Sequence, residues 1–173
     1  RALKAAAQAL GFDVNDALML GADSRTLSSH DLTARAGPFR FVHIDGGHNR
    51  DHVQADAQLT LETLSSEGVI CFDDFYNPLW PEVTSGVYEF MREHGDFAPL
   101  FFANMKVFLV RRENAEAYKA GVVSSPYMRG VQKLACHYDG DEAVLFKQPN
   151  STRLAFRALE MMRLQRLGSF VYR

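Results

Sequence analysis

Two short apolar runs, each ending in an acid, constrain this chain more than any other feature. Residues 39–44 are β-branched or aromatic almost throughout and stop at Asp45-Gly46-Gly47-His48; Val69-Ile70-Cys71-Phe72 stops at Asp73-Asp74. Between them, Val53, Ala57, Leu61 and Leu64 recur at spacings of three and four, which makes one apolar helix face. Strand, helix, strand is a crossover unit, and its right-handedness puts both strand ends on one edge of a sheet. Neighbouring strands lie about 4.8 Å apart. The spacing therefore predicts Asp45, His48, Asp73 and Asp74 in one small volume, on the edge where open α/β sheets bind ligands.

The flanking sequence extends this alternation. Residues 2–10 read as a helix stopped by Gly11, and residues 17–20 as an apolar run ending at Gly21-Ala22-Asp23-Ser24. Asp23 or Ser24 can cap a helix over residues 25–34, which Gly37-Pro38 breaks. Ser65-Ser66-Glu67-Gly68 reads as a turn. A proline-containing loop at 77–81 leads into a helix marked by Val83, Val87, Phe90 and Met91. Residues 97–103 and 106–111 form a hairpin about Asn104-Met105. Beyond it, short helices are expected at 113–120 and 127–135, a strand at 143–147 and a helix at 152–167. The fold class is α/β: a Rossmann-like parallel sheet covered by helices, with the antiparallel hairpin closing one edge. Residues 1–112 form the α/β domain and 113–173 a helical C-terminal extension. The chain opens on Arg1 in helix-like sequence, so earlier elements are expected to precede it.

Composition narrows the setting. With 173 residues, 47% hydrophobic and 23% charged, the chain supports one domain with a true core. A net charge of −2 gives no pull toward nucleic acid or an anionic membrane, and no apolar run is long enough for a membrane span. Cys71 and Cys136 cannot make a disulfide framework or a four-ligand zinc site, and a reducing, cytoplasmic location is expected. In the last stretch, Arg153, Arg157, Arg163, Arg166 and Arg173 face a single Glu160, beside an apolar stripe of Leu154, Ala158, Met161 and Met162. This helix packs on its own domain or supports a homo-oligomer.

Several carboxylates meeting without an evident basic partner call for a cation or a proton. Mg²⁺ or Ca²⁺ suits oxygen ligands. Because side chains alternate along a strand, Asp73 and Asp74 should point apart, one to the metal and one to a loop or supporting group. Each acid also has a plain structural reading as a helix cap, and Gly46-Gly47 as a tight turn. His48 is open as base, ligand or loop residue. His43 reads as a core histidine and His52 as a solvated helix position.

Residues 41–48, with Val53 and Asp56 downstream and then Gly68-Val69-Ile70-Cys71-Phe72-Asp73-Asp74-Phe75, resemble the second half of a class I S-adenosylmethionine-dependent methyltransferase. The likeness is to the branch of metal-dependent sugar O-methyltransferases of the macrocin type and relatives of cephalosporin hydroxylase. Pro81-Glu82-Val83 and Glu89-Phe90 fit the same branch. This resemblance spans roughly residues 1–112. It implies Asp45 with Asp73 or Asp74 as ligands of a divalent metal, expected to be Mg²⁺, that lowers the pKa of an acceptor hydroxyl. It implies His48 as general base, and Ala22, Asp23, Ser24 and Asp45 on the cofactor side, with S-adenosylmethionine as methyl donor and a small hydroxylated molecule as acceptor. The chain departs from the branch in having Glu67-Gly68 where two glycines are usual, and in lacking any G-x-G loop. A metal-dependent hydrolase or hydroxylase, and a non-catalytic assembly module, are the alternative readings.

Overall fold

A computed structural model describes residues 20–138 and 140–147. Strand β1 (Phe39–Ile44) begins after Gly37-Pro38 ends helix α1 (Ser29–Ala36), whose first turn is capped by the Ser28 hydroxyl accepting from the Asp31 N–H. Asn49 starts helix α2 (Arg50–Thr63): its side-chain oxygen accepts from the His52 N–H at 2.9 Å. Strand β2 (Leu64–Phe72) follows directly and lies parallel to β1, with Ile44 opposite Phe72. The crossover unit inferred from the two acid-ended runs is therefore present.

Pro81 occupies the first turn of helix α3 (Pro81–Glu93), where its missing N–H costs nothing. The hairpin of β3 (Phe97–Ala103) and β4 (Lys106–Arg111) turns at Asn104 and Met105, with φ of 50° and 59°. Two left-handed residues match the twist of the flanking strands. Helix α4 (Ala115–Ser124) precedes β5 (Gln132–Tyr138) and β6 (Asp141–Lys147).

One six-stranded sheet results, in the order β1-β2-β4-β3-β6-β5. β1–β2 and β3–β6 are parallel; β2–β4, β3–β4 and β5–β6 are antiparallel. The hairpin expected at an edge lies inside the sheet, because β6 pairs with β3 and carries β5 to the rim. Residues 132–135, expected at the end of a helix over 127–135, instead belong to strand β5, which pairs with β6 from Gln132 to Tyr138. The helix expected over 25–34 divides into a 3₁₀ turn, Ser24–Thr26, and α1. The turn expected at Ser65–Gly68 is absorbed into β2 as an irregular stretch: Phe39 pairs with Leu64, and Phe41 already with Val69. There the chain approaches itself so closely that a Cβ on Gly68 would lie 2.4 Å from Leu64 Cγ. Residues 2–10, 17–19 and 152–167, with the arginine-rich tail, fall outside the described residues.

The core sits mainly between one sheet face and helices α2 and α3. Ile70, Phe72, Val107 and Leu109 meet Val53, Ala57, Val83, Val87 and Phe90 there. Each large side chain buried in this way contributes about 2–3 kcal/mol. Ala98, Leu100 and Val110 with Ala115 of α4 build a smaller cluster. This packing holds the ends of β1 and β2, and so the acids beyond them, on a rigid edge.

Candidate functional site

The ladder between β1 and β2 continues one step past its last paired residues, with the Asp73 N–H donating to the Ile44 carbonyl at 3.0 Å. Asp45 and Asp73 therefore leave the sheet side by side. Asp73 and Asp74 point in different directions, as the sequence predicts, but both lie beyond the end of β2, and the left-handed backbone at Asp74 turns its side chain away.

Asp73 turns toward β4. Phe72 pairs with Val107, which sets Lys106 opposite Asp73, and the ammonium forms an ion pair with the carboxylate. His43 Nε2 lies 3.2 Å from the same oxygen. Burial works to raise the Asp73 carboxyl, but Lys106 and the Asp74 N–H outweigh it and hold it below its usual range. The acids do have a basic partner, contrary to the sequence expectation, because only strand pairing brings Lys106 beside Asp73. His43, expected in the core, instead has an exposed side chain on this open part of the sheet.

Asp74 turns the other way. Its backbone is left-handed, with φ of 55°, and the Asn77 side-chain amide donates to its Oδ1 at 2.7 Å. Its Oδ2 lies 3.0 Å from His48 Nε2, and Asp45 Oδ1 lies 3.9 Å from that nitrogen. Among the described residues, Asp45, His48 and Asp74 form a group whose ligand atoms all fall within 4.8 Å of one another. His48 Nε2 is buried yet aligned for no hydrogen bond. A buried nitrogen in that state is available to a proton or a cation. Asp73, expected with Asp74 as a candidate metal ligand, is held by Lys106 and His43 outside this group.

Glycines at 46 and 47 leave room for two side chains of α2. A Cβ on Gly46 would lie 2.5 Å from Asp56 Oδ2, and one on Gly47 would lie 1.6 Å from His52 Nδ1. The loop carrying Asp45 and His48 thus lies flat against the first turns of α2. His52, expected to be solvated, is half-buried for the same reason.

Asp23 caps the 3₁₀ turn Ser24–Thr26, as one of its two expected roles requires, accepting from the Arg25 N–H at 3.0 Å. The Arg25 guanidinium grips both carboxylate oxygens and lowers the Asp23 carboxyl to about 2. Ala22, Asp23 and Ser24 lead into this turn, which packs against α2.

Several contributors were missed in the sequence. The ring of Trp80 stacks on His48 at 4.4 Å with an interplanar angle of 16°. Tyr76 has φ of 64°, its N–H donates to Thr84 Oγ1 at 3.0 Å, and its hydroxyl bonds that of Tyr88 at 2.8 Å. Burial first, and Tyr88 second, push the Tyr76 hydroxyl up to about 12. The only signal for these residues was the proline-containing loop at 77–81, which marks an irregular segment without saying what it faces. That loop walls a cleft of about 450 Å³ with Gly47, His48, Asn49, His52, Leu79 and Trp80 on its sides.

An open α/β sheet with acids and a histidine gathered at the ends of adjacent parallel strands defines a ligand-binding edge of the Rossmann-like kind. Residues 2–75 match the family model described as a methyltransferase domain, a span under half of the chain that includes Asp23, Asp45, His48, Asp73 and Asp74. A search of curated proteins finds no match. Among the described residues, no helix is long and apolar enough to cross a membrane.

Proposed function

We propose that the chain is an S-adenosylmethionine-dependent O-methyltransferase in which Asp45 and Asp74 hold a divalent cation and His48 accepts the proton of a small acceptor's hydroxyl. The observation that carries this reading is the convergence of the Asp45 and Asp74 carboxylates on His48, whose buried Nε2 lies 3.0 Å from Asp74 Oδ2 without hydrogen-bond alignment. The donor set fits: two carboxylates suit a hard cation such as Mg²⁺, and the imidazole between them suits a base. When bound, the cation would supply charge that favours the ionised form of the acceptor hydroxyl. Asn77 orients Asp74, and Trp80 fixes the plane of the His48 ring. Lys106 neutralises Asp73, so the edge does not carry three unpaired carboxylates.

On the cofactor side, the described residues offer the Ala22–Ser24 stretch beside α2. Arg25 holds Asp23 ionised there, which suits acceptance of a hydrogen bond from an amino group such as that of adenine.

Calorimetric titration with Mg²⁺ tests the proposal. Asp45→Asn and Asp74→Asn should each weaken binding about ten-fold or more, and Asp73→Asn far less, because its carboxylate is already paired. His48→Ala should keep the cation. Absence of Mg²⁺ binding, or wild-type affinity in Asp74→Asn, would remove the metal from the mechanism.

A further inference from the structure

We infer that Glu82 is a positioning residue for His48: its carboxylate ties the start of α3 to the start of α2 and so keeps the indole of Trp80 on the imidazole. This deepens the reading of His48 as the base and rests on it. The two rings belong to residues just outside two helices. His48 precedes the Asn49 cap of α2, and Trp80 directly precedes Pro81, where α3 begins. Their stack at 4.4 Å and 16° requires those two helix starts to keep one relative position.

Other contacts fix part of that position. The Trp80 N–H donates to the Asn77 carbonyl at 3.0 Å, and the Asn77 side chain holds Asp74, so the entry to the loop is set from the acid. Trp80 itself, at φ −129° and ψ 59°, makes no side-chain cap on α3. Farther along, the two helices approach closely. A Cβ on Gly86 would lie 2.9 Å from Val53 Cγ1, and the Gln54 amide donates to the Gly86 carbonyl at 2.9 Å. At the level of the rings the link is Glu82, whose Oε2 accepts from the Arg50 N–H at 3.0 Å. The first N–H groups of a helix have no partner within it, and the helix dipole favours a carboxylate there. Asn49 takes the N–H of His52, and Glu82, from the other helix, takes that of Arg50. Glu82 is exposed, so this bond rather than packing sets where its side chain lies. Without the carboxylate the first turn of α3 is released from α2, and the indole, 42% exposed, can swing off the imidazole. A base that turns out of line with its acceptor loses rate steeply.

The stack can be read without cation, cofactor or acceptor, and the chain has one tryptophan to report it. In ¹H–¹³C spectra of the full chain, the His48 ring signals are assigned by their loss in His48→Ala. Trp80→Ala then marks where they lie once the indole ring current is gone. Glu82→Ala should move them toward the Trp80→Ala positions and open Trp80 emission to acrylamide quenching. Glu82→Gln, whose amide oxygen still accepts from the Arg50 N–H, should keep both near the wild type. A contribution to stability alone would lower Tm and leave the signals in place. The inference falls if Glu82→Ala leaves the His48 signals and the quenching unchanged, or if Glu82→Gln moves them as far as Glu82→Ala. It also falls if Trp80→Ala does not shift the His48 signals. Should the stack depend on Glu82 while no Mg²⁺ binds, the positioning stands and the metal proposal alone fails.

Discussion

Replacing Gly47 by alanine tests whether the loop carrying Asp45 and His48 is held by its close approach to α2. The new Cβ would lie 1.6 Å from His52 Nδ1, where non-bonded atoms need about 3.5 Å, so ring or loop must retreat by about 2 Å. His52 is half-buried and borders the cleft, so its ring has somewhere to turn. The cost should therefore fall in the lower part of the overpacking range, about 1–2 kcal/mol, reached through an off-rotamer imidazole. For a chain of this length that lowers Tm by about 2–8 °C. Differential scanning calorimetry of wild type, Gly47→Ala, His52→Ala and the double variant completes the cycle. With the imidazole gone the clash is gone, so adding Gly47→Ala to His52→Ala should cost no more than about 0.5 kcal/mol. If Gly47→Ala destabilises both backgrounds equally, the contact with His52 is not the reason for glycine at this position.

Phe72→Ala, which empties a fully buried site against Phe90 at the end of β2, should cost about 3–5 kcal/mol by urea denaturation; a loss below about 1 kcal/mol would contradict the packing described. Lys106→Met leaves the partly buried Asp73 carboxylate with only His43 beside it and should cost about 1–3 kcal/mol, of which Asp73→Asn in the same chain should restore a good part. Full additivity of the two changes would show that the ion pair is not what is lost. Tyr76 gives a pH signature. Its hydroxyl ionises at about 12 in the fold against 10.0 when free, so the unfolded chain releases its proton first and stability is lost as pH rises across that interval. The stability difference between wild type and Tyr76→Phe should shrink from pH 10 to 12, and a constant difference would refute the assignment.

The crossover unit was legible because periodicity is local: a run of β-branched residues, a helix face at spacings of three and four, and a second run can be read without knowing what they touch. The same logic placed Asp45, His48, Asp73 and Asp74 on one edge; Asp73 and Asp74 do point apart, but through the left-handed backbone at Asp74 beyond the strand and not through the pleat. The turn at Asn104-Met105 and the buried face of α3 were legible for the same reason. Partners supplied by other elements were not. That Lys106 neutralises Asp73 depends on β4 inserting beside β2, and that His48 lies on Trp80 depends on how the loop before α3 folds back over the first turn of α2. The first part of strand β5 was misread as helix because its edge position is decided by pairing with β6, which local propensity does not encode. By itself the sequence determined which residues reach the ligand-binding edge. Tertiary structure decided their neighbours, and so which carboxylates are already paired and which remain available to a ligand, because charge pairing and ring stacking depend on distances between segments far apart along the chain.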